Sequence, residues 1–111
     1  MIYSIISRAA WEEVSKAEVY APESLQKEGF IHCSTKEQIP WVASQYYAGR
    51  TDLVLLGIDE KALKPELVYE DLYDLNELFP HIYGELNLDA VQKVIPFGPN
   101  EDGTFAFPVS E

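Results

Sequence analysis

Leu53–Ile58, with the sequence LVLLGI, is the most apolar run of this 111-residue chain. An unbroken apolar run of strand length, without alternation, is typical of a central β-strand that is buried on both faces. The rest of the chain is predicted to fold around it. Apolar or extended segments of suitable length predict further strands at Ile2–Ser7, Phe30–Cys33, Leu67–Tyr69, His81–Leu86, Val91–Phe97 and Thr104–Phe107.

Two short helices are predicted in the first quarter of the sequence. Ser7 is a suitable N-cap for a helix over Arg8–Ala17. Pro22 can open a second helix that runs to Glu28, where Gly29 would end it.

The longest helix is predicted between about Thr35 and Ala48. Ser34–Glu37 has the capping-box pattern, in which a Ser or Thr cap is followed three residues later by Glu. Pro40 stands where a helix started at Ser34 would need a backbone N–H, so a kink or a fresh start is expected there. Strands and helices do not alternate regularly, which predicts one α+β domain over residues 1–111 rather than a doubly wound sheet.

Composition restricts the partners that this chain can have. Acidic residues outnumber basic ones by 19 to 8, which gives a formal net charge of −11. Such a surface repels phosphate backbones, so no nucleic-acid partner is expected. The single cysteine permits no internal disulfide, no apolar stretch is long enough to span a bilayer, and the N-terminal residues lack a signal-peptide pattern. We therefore expect a cytoplasmic protein with no membrane association.

The first unusual segment is GFIHCS, residues 29–34. On a strand, alternate side chains share a face. Ile31 and Cys33 would then face the core, so Cys33 is predicted to be a buried, slowly reacting thiol. The opposite face would carry Phe30, His32 and Ser34, although Ser34 is better explained as a helix cap than as a catalytic group.

The second unusual segment is FPHIYGEL, residues 79–86. If it is extended, His81, Tyr83 and Glu85 share a face and offer an imidazole, a phenol and a carboxylate. Both histidines of the chain thus lie in short extended segments flanked by Gly or Pro. We expect His32 and His81 to line one concave pocket with Tyr83 at its wall, against the alternative that each histidine is a structural residue.

Other kinds of site have less support in the sequence. The patterns GxGxxG, GxxxxGK[ST] and GxSxG are absent. The two histidines stand far apart in the sequence, with no HxH or HxxxH pair, so no metal site is predicted.

These segments resemble a bacterial family known as domain of unknown function 952. The resemblance covers nearly the whole chain and includes IYSII, SLQKEGFIHCST, DLVLLGID, VYED, FPHIYGEL and DGTFAFP. Members of that family resemble the ADP-ribosyltransferase fold, a split and mostly antiparallel β core flanked by small helices. The resemblance implies an ADP-ribosylation-like fold with a cleft for NAD between the two halves.

The resemblance also implies roles for individual residues. In that fold a first-strand His or Arg holds the ribose of NAD, and here the first strand offers Tyr3 and Ser4, where the resemblance implies a basic residue or His in many members of the family. The segment EGFIHCS is similar to the strand of tRNA 2′-phosphotransferases that bears a His and a Ser. The catalytic residues expected from the resemblance and the spacing are His32, His81 and Glu85, and the ligand-binding residues are Ser4, Phe30, Ser34 and Tyr83.

Three functions stay open at this point. The first is an enzyme or binding protein for NAD, ADP-ribose or a related nucleotide, with ADP-ribosyl- or phosphotransferase-like chemistry by analogy of fold. The second is a non-catalytic interaction module whose histidines are structural. The third is a metal-assisted hydrolase that uses His32, His81 and an acid such as Glu70 or Asp71.

Overall fold

The computed structural model describes residues 1–72 and 74–108 and shows an α+β fold, as predicted. In this part of the chain three short helices accompany small sheets in which every paired strand is antiparallel. Two single 3-10 turns lie at Glu60–Ala62 and Leu88–Ala90. The strands and helices are β1 (Ile2–Ser7), α1 (Arg8–Val14), β2 (Val19–Tyr20), α2 (Glu23–Glu28), β3 (Ile31–His32), α3 (Ile39–Tyr46), β4 (Leu53–Ile58), β5 (Glu66–Glu70), β6 (Phe79–Tyr83), β7 (Leu86–Asn87) and β8 (Val91–Phe97).

Strand β4 is the centre of a three-stranded sheet with the order β1-β4-β8. All of its residues are buried, which confirms the prediction for Leu53–Ile58. Alternate residues serve two apolar clusters: Val54, Leu56 and Ile58 belong to one, and Leu53 and Leu55 belong to the other. Because each face of the strand has its own core, the run could be apolar without alternation.

A second three-stranded sheet has the order β3-β6-β5, and β2 pairs with β7. The two larger sheets are joined where Tyr3 and Ser34 exchange backbone hydrogen bonds of 2.8 Å in both directions. This bridge places the chain that follows β3 beside β1. The β2–β7 pair was not predicted, since strands of two residues carry too little pattern to be recognised.

The helix predictions hold in position but need corrections at the ends. The hydroxyl of Ser7 accepts a hydrogen bond from the backbone N–H of Ala10, as an N-cap does, but α1 ends at Val14 rather than Ala17. Helix α2 ends at Gly29, which has a left-handed φ of +90°. Glycine reaches this region without steric cost, so it ends the helix as expected.

Helix α3 is the longest of the described helices, yet Ser34 is not its cap. The predicted capping box is wrong because the backbone of Ser34 is engaged with Tyr3. The helix starts afresh at Ile39, with Pro40 in its first turn, where a missing N–H costs nothing. Gln38 organises the preceding turn: its Oε1 accepts from the backbone N–H of Thr35 at 2.9 Å.

Two strand predictions near the C-terminus need correction. Residues Thr104–Phe107 form no strand; Asn100–Gly103 form a turn, and Phe105 then packs its ring on that of Phe97, with centroids 5.3 Å apart. The predicted strand His81–Leu86 is interrupted at Gly84. A Cβ at that glycine would stand 2.6 Å from the Cβ of Pro65, so the chain passes too close to Pro65 for any larger residue.

Candidate functional site

The two histidines, which stand far apart in the sequence, lie directly opposite each other on neighbouring strands. The antiparallel register of β3 and β6 pairs His32 with His81. Their ring centroids are 5.6 Å apart and the rings are nearly perpendicular, at 76°. Residues opposite each other in a pair of strands point to the same side of the sheet, so the register brings the two imidazoles together.

Phe30 is the ring against which the histidines pack. It is buried and stacks on His81 with centroids 4.1 Å apart and an interplanar angle of 21°. Its centroid is also 4.9 Å from that of His32 and 5.4 Å from that of Tyr83. The structure therefore brings four of the predicted site residues into one cluster of rings.

A carboxylate on β5 completes the cluster. Oε2 of Glu70 accepts hydrogen bonds from the hydroxyl of Tyr83 and, at 2.8 Å, from Nδ1 of His81. The bond from Tyr83, followed by the bond from His81, lowers the pKa of Glu70, and the same bond to Glu70 raises the pKa of Tyr83. An ionised Glu70 keeps a proton on Nδ1 of His81. In the neutral imidazole, Nε2 is then the nitrogen without a proton.

The two histidines differ strongly in exposure. The side chain of His81 is 2% exposed, whereas that of His32 is 46% exposed. Nε2 of His32 lies 3.2 Å from Oε1 of Glu28, four residues earlier in the chain. His81 is therefore the inner member of the pair and His32 is the outer one.

A cavity of about 450 Å³ opens beside the pair. Both histidines line it, which is the arrangement expected from the sequence, but Tyr83 is not among its lining residues. Helix α3 supplies three of the lining residues, and the loop before β6 supplies Leu75. The lining residues are Glu28, His32, Cys33, Ser34, Trp41, Val42, Tyr46, Tyr47, Leu75, Phe79 and His81.

The other predicted site residues have different surroundings. Ser34 is buried at the cavity wall, and Ser4 is buried with its hydroxyl 3.4 Å from the backbone oxygen of His32. Glu85 was expected on the face of His81 and Tyr83; β6 ends at Tyr83, and Glu85 lies exposed beyond Gly84 and is not among the residues that line the cavity.

The prediction that Cys33 is buried is confirmed. Its side chain belongs to the apolar cluster that includes Ile31, and burial raises the pKa of the thiol to about 12. At neutral pH the group is therefore an uncharged thiol, which is a poor nucleophile. Slow reaction of Cys33 stays a prediction.

Sequence reasoning missed most of the cavity wall. It named Glu70 only as a possible metal ligand and did not select Trp41, Tyr46 or Tyr47. Three aromatic residues within seven positions, in and just after one short helix, were a usable signal. Within residues 1–72 and 74–108, no three His, Cys, Asp or Glu side chains are grouped so that they could hold a metal ion. In the same part of the chain, no helix has the length and apolar character that crossing a membrane requires.

These features define a class of protein: a small α+β chain with a cavity that is lined by two histidines paired across neighbouring antiparallel strands. Residues 5–94 match the family described as "Protein of unknown function (DUF952)", and the chain belongs to this family. No curated protein matches the sequence.

Solved structures of one other protein share the fold. The chain is similar to the crystal structure of protein CC0527 from Caulobacter crescentus, with a TM-score of 0.81 and 30% identity over 94% of this chain and 91% of that one. The solution NMR structure of CC0527 also gives a TM-score of 0.81, at 30% identity over 93% of this chain and 89% of that one. The similarity covers almost the entire chain on both sides.

Proposed function

We propose that this protein binds a small molecule in the cavity beside His32 and His81. The observation that carries the proposal is the register of β3 and β6, which sets both histidines on the wall of a cavity of about 450 Å³. That volume lies within the range of about 300–1,000 Å³ that is usual for small-molecule sites. Aromatic walls with a few polar groups are also usual there, because the rings supply apolar contact and the polar groups fix orientation.

NAD, ADP-ribose and related nucleotides are the first ligands to test, by analogy with the ADP-ribosyltransferase fold. Their planar rings suit the aromatic wall. Their phosphates have less support, since no Lys or Arg is among the described residues that line the cavity. A nucleotide would therefore be expected to enter by a ring and to keep its phosphates outside.

Proton transfer is the chemistry for which the inner histidine is best equipped. Glu70 holds Nδ1 of His81 through a bond of 2.8 Å, as the carboxylate does in carboxylate–histidine pairs that act as general bases. Nε2 could then take a proton from a hydroxyl or amine of a bound compound. Transferase-like chemistry at this site would assign catalysis to His81 and ligand contact to His32.

Titration calorimetry with NAD, ADP-ribose, adenosine and nicotinamide tests the proposal. At least one of these ligands should bind the wild type, and His32→Ala should abolish that binding. Gln92→Ala is a matched control, because Gln92 is an exposed side chain on β8, in the other large sheet. Absence of binding for all four ligands would count against a nucleotide ligand. Unchanged binding by His32→Ala would show that the ligand binds away from His32.

The second candidate function is a non-catalytic module with structural histidines, and the burial of His81 favours it. His81→Ala would leave Glu70 with one hydrogen-bond donor fewer and should cost about 1–3 kcal/mol of unfolding free energy. His32→Ala, at an exposed side chain, should cost less than about 1 kcal/mol. Denaturant melts of both variants, compared with the binding data, separate the two functions. Loss of binding by His32→Ala at little cost in stability favours the ligand site, whereas absence of binding with a destabilised His81→Ala favours structural histidines.

A further inference from the structure

The outer wall of the cavity is built from aromatic rings that remain exposed. Trp41 is 43% exposed and Tyr46 is 67% exposed, although both are large and partly apolar. The ring of Trp41 meets that of Tyr46 at 83° and lies tilted by 36° to that of Phe79, with centroids 6.4 Å apart in each pair. Together with Phe79, these rings line one cavity, and aromatic side chains gathered around one space can form a cage for a cation.

The lining of the cavity and the loop beside it carry acidic side chains. Glu28 lines the cavity, and so does Leu75, which belongs to a loop whose sequence from Asp71 to Leu78 contains three acidic residues and no basic one. The loop is held against the turn before α3, because Nε2 of Gln38 donates to the backbone oxygen of Leu78 at 2.7 Å. With a net charge of −11 for the whole chain, an anion would approach this cavity against repulsion and a cation with attraction.

One lining ring already carries a cation on its face. The guanidinium of Arg50 lies 5.9 Å from the ring centroid of Tyr47, while its nitrogens bind Asp52 at 2.8 and 2.9 Å. This intramolecular contact shows that the aromatic face at Tyr47 accepts a positive group. Trp41 and Phe79 lie on the same cavity wall and have no such partner among the described residues.

We propose that the ligand of this cavity is a small organic cation of the quaternary ammonium type, held by the faces of Trp41, Tyr46 and Phe79 and by the carboxylate of Glu28. The inference rests on the proposed small-molecule function and narrows its ligand class. A quaternary ammonium group is weakly hydrated and has no N–H to satisfy, so aromatic faces can replace its water at little cost. The carboxylate supplies the balancing charge at the rim.

Choline and its uncharged carbon analogue 3,3-dimethylbutan-1-ol have nearly the same shape but differ in charge. Comparing their affinities therefore separates the contribution of charge to binding from that of shape. Binding is followed by the fluorescence of Trp41 in a Trp11→Phe background, since the chain has two tryptophans, and is confirmed by calorimetry. Choline should bind at least about tenfold more tightly than the analogue, as expected when a cation–π contact contributes more than about 1.4 kcal/mol. Equal or tighter binding of the analogue overturns the inference.

Three variants test the assigned residues. Trp41→Phe should keep most of the affinity for choline and Trp41→Leu should lose it, while the affinity for the neutral analogue changes little in both. Glu28→Gln should weaken choline alone. If nicotinamide or adenosine binds but choline does not, the cation inference fails and the small-molecule function stands; if no compound binds, both fail.

Discussion

At the scale of single residues, Glu70 links the inner histidine to its neighbours. One oxygen, Oε2, accepts hydrogen bonds from both Tyr83 and His81. A neutral acid could still accept at one oxygen, but the ionised carboxylate accepts both bonds more strongly because it carries the charge. The arrangement of His81 should therefore depend on a charge that is lost in acid.

The first prediction concerns this acid dependence. Because its pKa is lowered in the folded protein, Glu70 contributes stability that is fully present above its unfolded pKa of about 4.3 and lost as the pH falls through the lower folded value. The difference in unfolding free energy between wild type and Glu70→Gln should therefore shrink below about pH 4. Urea denaturation at a series of pH values measures it.

Tyr83→Phe is the matched control for Glu70, since it removes the donor that lowers the carboxyl pKa most. In the Tyr83→Phe background, Glu70→Gln should still change the unfolding free energy in an acid-dependent way, because His81 still donates to Glu70. The acid-dependent change should be smaller than in the wild-type background. A difference that stays constant down to pH 3 would contradict the role assigned to the carboxylate.

A second prediction at this scale concerns Cys33. Burial in the apolar cluster with Ile31 raises the pKa of the thiol to about 12 and shields the sulfur. Labelling of the native protein with a disulfide reagent should therefore be much slower than labelling of a small free thiol, and it should become fast in denaturant. The chain has one cysteine, so the signal is unambiguous; rapid labelling of the native protein would show that Cys33 is reachable from the cavity.

At the scale of elements, local sequence signals predicted what local physics decides. Ser7 caps α1 and Gly29 ends α2, because a cap hydroxyl and a left-handed glycine act within a few residues. Ser34 was predicted as a cap and is not one, because the distant Tyr3 claims its backbone. Local patterns fail where a partner from elsewhere in the chain competes for the same group.

Gly84 and Gly29 give a prediction about how elements end. Alanine at Gly29 would meet no atom within 4 Å, so Gly29→Ala should cost only the strain of its left-handed backbone, about 1 kcal/mol. Alanine at Gly84 would place its Cβ 2.6 Å from that of Pro65, which precedes β5. Gly84→Ala must therefore move β5 against β6 and should cost more, about 2–3 kcal/mol.

Denaturant melts of the two glycine variants compare the costs directly. Gly84→Ala should also disturb the contact between Glu70 on β5 and His81 on β6, which an NMR spectrum of the imidazole protons would register. Gly29→Ala should leave that spectrum unchanged. An equal loss of unfolding free energy in the two variants would contradict the prediction, because it would mean that the loop at Pro65 moves away from the added Cβ at no cost.

At the scale of the whole molecule, the sequence predicted the ingredients of the site better than their arrangement. The strand LVLLGI could be recognised because burial on both faces leaves an unbroken apolar run. A shared pocket for His32 and His81 could be predicted, but their direct pairing could not, since it depends on the register of two strands from distant parts of the chain. The same holds for Glu70, which reaches the pair only because β5 lies next to β6.

The net charge of the molecule leads to the last prediction. With 19 acidic and 8 basic residues, the folded chain holds like charges closer together than the unfolded chain does, which destabilises the compact state. Dissolved salt screens this repulsion, with a Debye length that falls from about 30 Å at 0.01 M to about 8 Å at 0.15 M. The melting temperature at pH 7 should therefore rise over that range of sodium chloride concentration.

The same series at about pH 4, where roughly half of the carboxylates are neutral, should show a much smaller rise. An equal rise at both pH values would assign the effect to preferential exclusion of the salt from the protein surface rather than to screening of the protein's own charge.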